Sequence, residues 1–549
     1  MRSTSMRFIV ATTLVVAMAG GAAAQAGLPE GPSWGRGAFQ PKGKNVLFAS
    51  GDGCALCHTA SSEAVAGKNA LGDDVSPHGL WKATMMANAF RDPYWRAQMA
   101  RETAMRPNDA AAIEALCFKC HAPMVHHTAR LSGIATPSFA DSKNDPLAED
   151  GVSCTVCHQA RPDNFGKPES FGGNLDIRPG REIYGPYEDP VPGPMRMHSA
   201  FTPTHGPHVQ KSALCGSCHT LVTTAGPGAA PFHEQSPYLE WRNSIFSDET
   251  EKTAGSRSCQ ECHMPDQGSV RLAHNPRGID FNIEPREHFR AHTFVGGNAY
   301  MLDIFKKYRE ELGVTAPDAA LERSAQATRR LLGDHTASVT VLDGERKEGE
   351  VSFDVLVANR CGHKFPSGYP SRRAWLQVEV RQGGDVVFNS GAFKDGGRIA
   401  LLQDELAQPH RDVITKPEEV QIYETVAVDT ENKTTTSIVG MAKKLKDNRL
   451  LPRGWKANGP DADATKPIGV DGDDDFKDGS DRVTYRVKLA TGASGRITIV
   501  ARLYYQTIPP AWIDGLRDAE TPEVKTFLKM ADATPPIPEI AAFTIETID

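Results

Sequence analysis

One pattern recurs five times in the sequence: two cysteines three positions apart, with a histidine directly after the second. The copies begin at Cys54, Cys117, Cys154, Cys215 and Cys259, and together they use ten of the eleven cysteines. Zinc sites and redox dithiols also use paired cysteines, but neither requires this histidine every time. CxxCH is the pattern through which haem is attached covalently to c-type cytochromes. The sequence therefore predicts five covalently attached haem c groups.

Each motif is expected to hold one haem through three side chains. The two thiols bond to the porphyrin, and the adjacent imidazole becomes the proximal ligand of the iron. The predicted attachment residues are Cys54, Cys57, Cys117, Cys120, Cys154, Cys157, Cys215, Cys218, Cys259 and Cys262, and the predicted proximal ligands are His58, His121, His158, His219 and His263. Five haems within so short a stretch must lie close together, because few residues are available to surround each one.

The amino-terminal residues have the features of a secretory signal peptide. Two arginines precede an apolar run over 8–19, and three alanines at 22–24 form a small-residue cleavage site. We predict that residues 1–24 are removed after Ala24 and that the mature protein is periplasmic or extracellular. An uncleaved membrane anchor is the alternative, although the run is short for a spanning helix. No later stretch of the sequence is apolar enough to predict a transmembrane segment.

The charge of the chain limits its partners. The formal net charge is -7, and the propionates of bound haems would add to it. The sequence has no basic stripe, so nucleic acid is not expected as a partner. Redox proteins or an extracellular electron acceptor are the partners we expect, and an oligomer or filament is compatible with the sequence.

The two halves of the chain differ in their patterns. Residues 40–298 are rich in glycine, proline and histidine and carry all five motifs, which predicts a pentahaem cytochrome c domain with mostly irregular and α-helical structure. Helices are expected over 92–104 and 238–245. Residues 299–334 show helical periodicity and predict a connector of two helices, the second beginning near Pro317 and ending at Gly333.

From residue 335 to 549 apolar and polar residues alternate, as in strands with one buried face. We predict a mainly antiparallel β-sandwich, with one of its turns at Asp343-Gly344. The fold class is therefore α+β and multidomain: a haem-packed cytochrome half, then helices, then a carboxy-terminal β-sandwich.

Haems that only transfer electrons need a second axial ligand, and thirteen of the eighteen histidines lie outside the motifs. The candidate sixth ligands are Met86, His127, His198, His208, His292 and His363. His126 is an alternative to its neighbour His127, and His205 shares a loop with His198 and His208. The isolated His335 and His410 are expected to be surface or hydrogen-bonded residues.

Two of these candidates are next to glycines, which allow the backbone to approach a macrocycle closely. His292 precedes Gly296-Gly297, and His363 follows Gly362. If His363 binds iron, it clamps the β half onto the haem half. Met86 would supply a thioether and raise the potential of its haem, whereas the alternative for Met85 and Met86 is a role in the core.

The chain resembles the secreted multihaem cytochromes related to cytochrome c-554, hydroxylamine oxidoreductase and pentahaem nitrite reductase. The resemblance is carried by GVSCTVCH, SALCGSCHT, YLEWRNS with SCQECHMP, HTFVGGNAYML and GHKFPSGYPSRRAWL, in that order. It implies the multihaem architecture and electron transfer. In cytochrome c-554 a distal histidine stands five residues after a tryptophan that follows the first motif. Counting from Trp81 places Met86 there, which departs from histidine.

The resemblance gives less support to an enzymatic activity. The nitrite reductases usually carry a CxxCK motif, and hydroxylamine oxidoreductase has eight haems; this sequence has no CxxCK and only five motifs. Electron transfer is therefore our first hypothesis. The alternative is a multihaem oxidoreductase that binds a small nitrogen or sulfur compound at one open haem, with THGPH and Arg372-Arg373 as the first residues to consider.

Two further features fall outside the motifs. Cys361 is the odd thiol and is expected to be an inert buried side chain, with an iron ligand or an intermolecular disulfide as alternatives. The acidic stretch 471–481 suggests calcium, but Phe476 stands where an EF-hand loop needs glycine and Arg482 where it needs glutamate. A solvated acidic turn is the prediction for that stretch.

Overall fold

The computed structural model describes residues 40–226, 228–489 and 495–548. The predicted signal peptide, residues 1–24, lies outside them. Within the described residues helices are combined with several β-sheets, which confirms the predicted mixture of α and β structure. No helix in this part of the chain is both long enough and apolar enough to cross a membrane.

Residues 40–298 fold into short helices joined by irregular segments. The helices are α1 (Gly51–Ala55), α2 (Pro77–Trp81), α3 (Pro93–Met105), α4 (Ala110–His121), α5 (Pro123–Leu131), α6 (Phe139–Ser142), α7 (Pro146–Glu149), α8 (Cys154–Cys157), α9 (Pro192–Ser199), α10 (Ser212–Gly216), α11 (Pro237–Arg242) and α12 (Cys259–His263). Strand β1 (Glu182–Gly185) pairs in parallel with β2 (Thr202–His205), and β3 (Leu221–Thr223) pairs antiparallel with β4 (Phe232–Gln235).

Helix α3 shows why the sequence folds as it does in this region. The Asp92 carboxylate accepts hydrogen bonds from the backbone N–H groups of Tyr94 and Trp95 at 2.9 and 3.2 Å. Pro93 occupies the first turn, where no N–H is needed. An aspartate that satisfies these unpaired donors starts the helix at the predicted position.

The two helices expected after residue 298 are present as α13 (Ala299–Lys307) and α14 (Asp318–His335). Their apolar faces are buried in one core, which contains Leu302, Phe305 and Leu321. The predicted end of the second helix was wrong: Gly333 lies inside α14. A glycine near a helix end lowers stability by only about 1 kcal/mol, so the helix continues through it.

The strands of the second half are β5 (Ala337–Lys347), β6 (Glu350–Asn359), β7 (Arg373–Gln382), β8 (Asp385–Ser390), β9 (Val413–Ile414), β10 (Ile422–Tyr423), β11 (Thr425–Val428), β12 (Lys443–Asp447), β13 (Ser480–Lys488), β14 (Ile497–Gln506) and β15 (Glu539–Ile548). Helices α15 (Ala462–Thr465), α16 (Pro510–Asp514) and α17 (Pro522–Ala533) lie between strands. One sheet has the order β5-β6-β13-β9, and the other has the order β10-β7-β14-β15 with β8 beside β7. Strands β11 and β12 form a separate pair.

Both large sheets bury one face in the same apolar core. Phe353 of β6 and Tyr485 of β13 are paired in register, and their rings stack with centres 5.4 Å apart. Phe388 of β8, in the other sheet, meets Tyr485 edge to face at 6.3 Å. The alternating burial along β6 matches the sequence alternation that predicts these strands.

The turn predicted at Asp343-Gly344 is wrong. Strand β5 continues through both residues, and its pairing with β6 shifts register between Leu342 and Glu345. Asp343 has a φ of 51°, in the left-handed region, so the aspartate and glycine form a bulge within the strand. The same residue types serve turns and bulges, and the sequence pattern does not distinguish them.

The two parts of the chain pack against each other. Helix α17 lies along α3, where the rings of Phe527 and Tyr94 are 5.2 Å apart. Arg101 of α3 pairs with Asp518 at 2.9 Å. The Glu102 carboxylate accepts a hydrogen bond from the Ile438 N–H at 2.6 Å. These contacts hold the β half against the segment that carries the five motifs.

Candidate functional site

The five motifs lie on helices or at their ends. Helices α4 and α12 end on the motif histidines themselves, and α8 consists of the third motif from Cys154 to Cys157. In the first, third and fourth motifs the histidine N–H donates to the carbonyl of the first cysteine at 3.0, 3.1 and 2.9 Å. One helical turn therefore places both thiols on the same face, with the histidine next to them.

Residues from all five motifs line one continuous cavity of about 1350 Å³, which we call the motif cavity. It contains the five motif histidines, His58, His121, His158, His219 and His263, and nine of the ten motif cysteines, all except Cys117. A pocket for one small ligand occupies roughly 300–1,000 Å³, so this cavity is larger than a single such ligand requires. All eleven cysteines are free thiols. The size and the thiols fit several large apolar groups bound side by side.

Four of the five motif histidines are oriented in the same way. The Nδ1 atoms of His58, His121, His158 and His263 lie 3.1, 3.0, 2.6 and 2.5 Å from backbone carbonyl oxygens. A carbonyl only accepts, so Nδ1 carries the proton and Nε2 is left with a free lone pair. This arrangement is the usual one for a histidine that binds a metal through Nε2.

Burial keeps these imidazoles neutral. It lowers the pKa of His121 and His219 to about 4. Burial likewise lowers the pKa of His292 to about 3. Neutral imidazole is the form that coordinates metal, so these side chains need no deprotonation at neutral pH.

Two motif histidines face a second imidazole. The rings of His158 and His292 have centres 6.2 Å apart and planes inclined by 20°. The rings of His263 and His363 have centres 6.3 Å apart and planes inclined by 8°. Two imidazoles that bind one metal ion from opposite sides, each through a nitrogen about 2 Å from it, have ring centres roughly 6 Å apart. The spacing of both pairs fits an iron held between them.

The structure also shows where the other ligand candidates lie. Met86 and His198 line the motif cavity, whereas His127 and His208 do not. The Nε2 of His208 hydrogen-bonds to the carbonyl of Ala160 at 3.0 Å, so that atom is already engaged. His127 is only 1% exposed, and its Nε2 has no hydrogen-bond partner. His127 therefore remains a candidate ligand, and the structure argues against His208.

The sequence analysis missed His274. This side chain is buried and lines the motif cavity, and its Nδ1 lies 2.7 Å from the carbonyl of Asn275, while its Nε2 has no partner. Its backbone N–H donates to the carbonyl of Cys57 at 3.1 Å, which holds it beside the first motif. The one sequence signal for His274 is its position before Asn-Pro, in a segment without a motif. That signal is too weak to separate it from a surface histidine.

Contacts between cysteines of different motifs show which motifs are neighbours in the fold. The Cys154 thiol and burial raise the pKa of Cys54 well above its usual value. The Cys120 thiol and burial raise the pKa of Cys218 in the same way. The Cys259 thiol and burial raise the pKa of Cys215. Adjacent motifs are therefore the first and third, the second and fourth, and the fourth and fifth. This order differs from their order in the sequence.

The residues suggested for an enzymatic role have different surroundings. Arg372 lines the motif cavity, and its buried Nε has no hydrogen-bond partner. Arg373 is 1% exposed and pairs with Glu405 at 3.3 Å, so it is part of the core. In THGPH, His205 is exposed. Of these residues, Arg372 and Thr204 of THGPH line the cavity, whereas His205, His208 and Arg373 do not.

Cys361 lines the motif cavity and is half-buried. Burial raises its pKa to about 12, so it stays protonated and a poor nucleophile at neutral pH. Its Sγ donates to the carbonyl of Thr336 at 3.6 Å. These contacts agree with the inert side chain expected from the sequence.

Glu234 of β4 is a buried acid near the second motif. It is 3% exposed, its Oε1 has no hydrogen-bond partner, and burial raises its pKa to about 8. In the unfolded chain the carboxyl ionises near 4.5. The stability that the protonated group provides is therefore complete below about pH 4.5 and is lost as the pH rises to 8.

We expect the Glu234→Gln variant to keep this stability at high pH. Relative to the variant, the free energy of unfolding of the wild type should fall by roughly 3 kcal/mol between pH 5 and pH 8.5, as measured by urea denaturation. Glu169→Gln, at an exposed site, is the control and should track the wild type. If the free energies of unfolding of the wild type and the Glu234→Gln variant change in parallel with pH, Glu234 does not have the raised pKa.

The fold is similar to that of a solved multihaem cytochrome. That structure is a penta-heme cytochrome c552 from Thermochromatium tepidum, with a TM-score of 0.52 and 16% sequence identity. The match covers 92% of this chain and 100% of the cytochrome. No protein-family model matches the sequence, and no curated protein matches it either.

Proposed function

We propose that the chain is a pentahaem c-type cytochrome that passes electrons between redox partners. The observation that carries this proposal is the single cavity lined by residues of all five CxxCH motifs, with free thiols and outward-facing Nε2 atoms. Haem iron bound there supplies a one-electron couple. The fold shared with a penta-heme cytochrome supports the same function.

The protein residues hold and insulate the haems. The ten motif cysteines fix each group to the backbone, and the carbonyl-bound motif histidines present Nε2 in a set direction. His292 and His363 are the proposed sixth ligands of the third and fifth haems, and His274, Met86, His127 and His198 are candidates for the others. His127 and His274 are buried and the other four are half-buried, which restricts the access of water and limits the reorganisation that accompanies a change of charge.

The proposed organisation follows from the same reasoning. Residues 40–298 are the pentahaem domain, 299–334 the helical connector and 335–549 the β-sandwich domain, after a signal peptide over 1–24 that is cleaved after Ala24. The proposed location is periplasmic or extracellular. The proposed partners are redox proteins or an extracellular electron acceptor, without nucleic acid.

An anaerobic redox titration tests the proposed function. With the α-band absorbance as the readout, the purified protein is expected to take up five electrons per chain. Mixing with a substoichiometric amount of reduced protein should distribute electrons over all molecules within seconds. Uptake of fewer electrons, or no exchange between molecules, would contradict an electron-transfer role.

One observation favours a second candidate, an oxidoreductase acting on a small nitrogen or sulfur compound. Among the described residues, no imidazole is in ring contact with His121; Trp95 stacks on it instead, with ring centres 4.4 Å apart. Tyr94 and Gln98, hydrogen-bonded at 2.9 Å, line the cavity nearby. An iron held by His121 without a sixth protein ligand would be open to substrate.

The visible spectrum separates the two functions. A ferric protein that is wholly low-spin, and that does not change with nitrite, hydroxylamine, sulfite, cyanide or carbon monoxide, supports electron transfer alone. A high-spin component that shifts with one of these compounds supports the oxidoreductase.

A further inference from the structure

A cluster of carboxylates lies far along the chain from the motifs, in the β half. Asp412 directly precedes β9, and Asp473 and Asp475 lie in the loop before β13. One oxygen of each carboxylate lies within 4.8 Å of the other two. Oxygens that bind one calcium ion at about 2.3–2.6 Å are at most about 5 Å apart, so this spacing suits a shared ion.

A fourth carboxylate, Asp481, lies behind them. It is 0% exposed, and one of its oxygens is within 4.8 Å of ligand atoms of Asp473 and His410. Its Oδ2 accepts hydrogen bonds from the Tyr423 hydroxyl at 2.7 Å and from Gln421 Nε2 at 3.0 Å. Its Oδ1 is buried without a partner. A buried carboxylate oxygen without a donor is costly, and a cation bound at the neighbouring carboxylates offsets part of that cost.

The charges of this cluster are not balanced by basic side chains. Within residues 40–226, 228–489 and 495–548, no lysine or arginine forms an ion pair with Asp412, Asp473, Asp475 or Asp481. Two arginines are next to cluster residues in the sequence, and both pair elsewhere: Arg482 with Asp343 and Asp354, both at 2.9 Å, and Arg411 with Glu419 at 3.9 Å. Burial, together with the charges of Asp473 and Asp475, raises the pKa of Asp481 to about 7.

His410 touches the cluster, but as a hydrogen-bond donor. Its Nδ1 accepts from Gln421 Nε2 at 2.8 Å and from Asn448 Nδ2 at 3.0 Å. The oxygens of both amides accept backbone N–H groups, so the amides cannot turn round. The proton of the neutral ring therefore sits on Nε2, which donates to Asp473 Oδ2 at 2.8 Å. This leaves only oxygen atoms as ligands.

We propose that Asp412, Asp473 and Asp475 bind a calcium ion, with His410 orienting Asp473 and Asp481 adding negative charge behind the site. Oxygen-only ligands favour calcium over zinc or copper, which prefer nitrogen and sulfur. Magnesium requires a near-ideal octahedron, whereas calcium accepts carboxylates, carbonyls and water in flexible numbers. Such an ion links the start of β9 to the loop before β13. The site differs from an EF-hand loop because Asp412 comes from a distant part of the chain.

Calcium titration of the complete protein tests this site. After treatment with a chelator, the holoprotein is titrated with calcium chloride up to about 10 mM by isothermal calorimetry, since extracellular calcium modules bind with Kd values of roughly 0.1–1 mM. We expect one site per chain. Calcium at a hundred times Kd should also raise the melting temperature by at least about 3 °C.

A matched pair of variants assigns the binding to these residues. Asp412→Asn removes an exposed carboxylate that makes no side-chain hydrogen bond within the described residues, so folding is preserved, and it should weaken binding at least about tenfold. Asp474→Asn makes the same charge change in the same loop, outside the cluster, and should bind as the wild type does. Absence of binding to the wild type, equal losses in the two variants, or magnesium binding as tight as calcium binding would overturn the proposal.

Discussion

The His363→Ala variant is expected to contain one five-coordinate haem iron whose reduction potential is raised by on the order of 100 mV. His363 lies with its ring centre 6.3 Å from that of His263, and the two ring planes are nearly parallel. Removing it takes away the electron-donating sixth ligand and leaves a position open to carbon monoxide. The ferric spectrum should gain a high-spin signal, and the reduced protein should bind one carbon monoxide per chain.

Two further variants complete this test. His205→Ala removes an exposed histidine that does not line the motif cavity and should leave the spectrum unchanged. His292→Ala should produce the same high-spin signal at a different haem, because His292 faces His158. A His363→Ala protein that remains wholly low-spin and does not bind carbon monoxide would remove His363 from the ligand set.

The Asp447→Asn variant is expected to lose about 3–5 kcal/mol of stability. Asp447 is 1% exposed and lies within 3.1 Å of Lys364, 3.0 Å of Lys444 and 2.8 Å of Arg449. Although burial raises its pKa, the nearby Arg449, Lys364 and Lys444 hold the pKa of Asp447 well below its usual range. Neutralising it leaves buried cations without their partner. Denaturant unfolding of the purified variant measures the loss.

An exposed ion pair provides the control for this variant. Asp463 pairs with Lys466 at 3.2 Å, but its side chain is fully exposed to solvent. Asp463→Asn should change stability by less than about 1 kcal/mol, because exposed ion pairs contribute little. Equal effects of the two substitutions would show that the buried ion-pair network does not stabilise the β half against the motif segment.

This network also connects the two halves at His363. Arg449 pairs with Glu240 of α11 at 3.0 Å, and the Glu240 carboxylate accepts the backbone N–H of Lys364 at 3.0 Å. The Lys364 carbonyl in turn lies 3.0 Å from Nδ1 of His363. Loss of Asp447 is therefore expected to disturb the haem that His363 is proposed to bind, as well as the overall stability. A smaller spectral change than in His363→Ala would be consistent with this indirect contact.

The sequence predicted the features that depend on local chemistry. The cap Asp92 and the following proline mark the start of α3, and the alternation along β6 marks a strand with one buried face. The motifs themselves predict fifteen site residues, and fourteen of them line one cavity. Glycines next to His292 and His363 pointed to two histidines that the structure places opposite motif histidines.

What the sequence could not predict depends on distant contacts. His274 is brought beside the first motif by a backbone hydrogen bond to Cys57, across more than two hundred residues. The calcium ligands proposed here come from two separate segments, so the acidic loop alone looks like a solvated turn. Bulges such as Asp343-Gly344 depend on the partner strand, and turn residues alone do not specify them.

The mass of the intact, denatured and reduced protein tests the central claim most directly. Covalent thioethers survive denaturation, whereas metal ions and non-covalent groups are released. The expected mass is that of the mature polypeptide plus five haems, with cleavage after Ala24. A mass equal to the polypeptide alone, from a protein that is colourless or carries zinc when native, would contradict it.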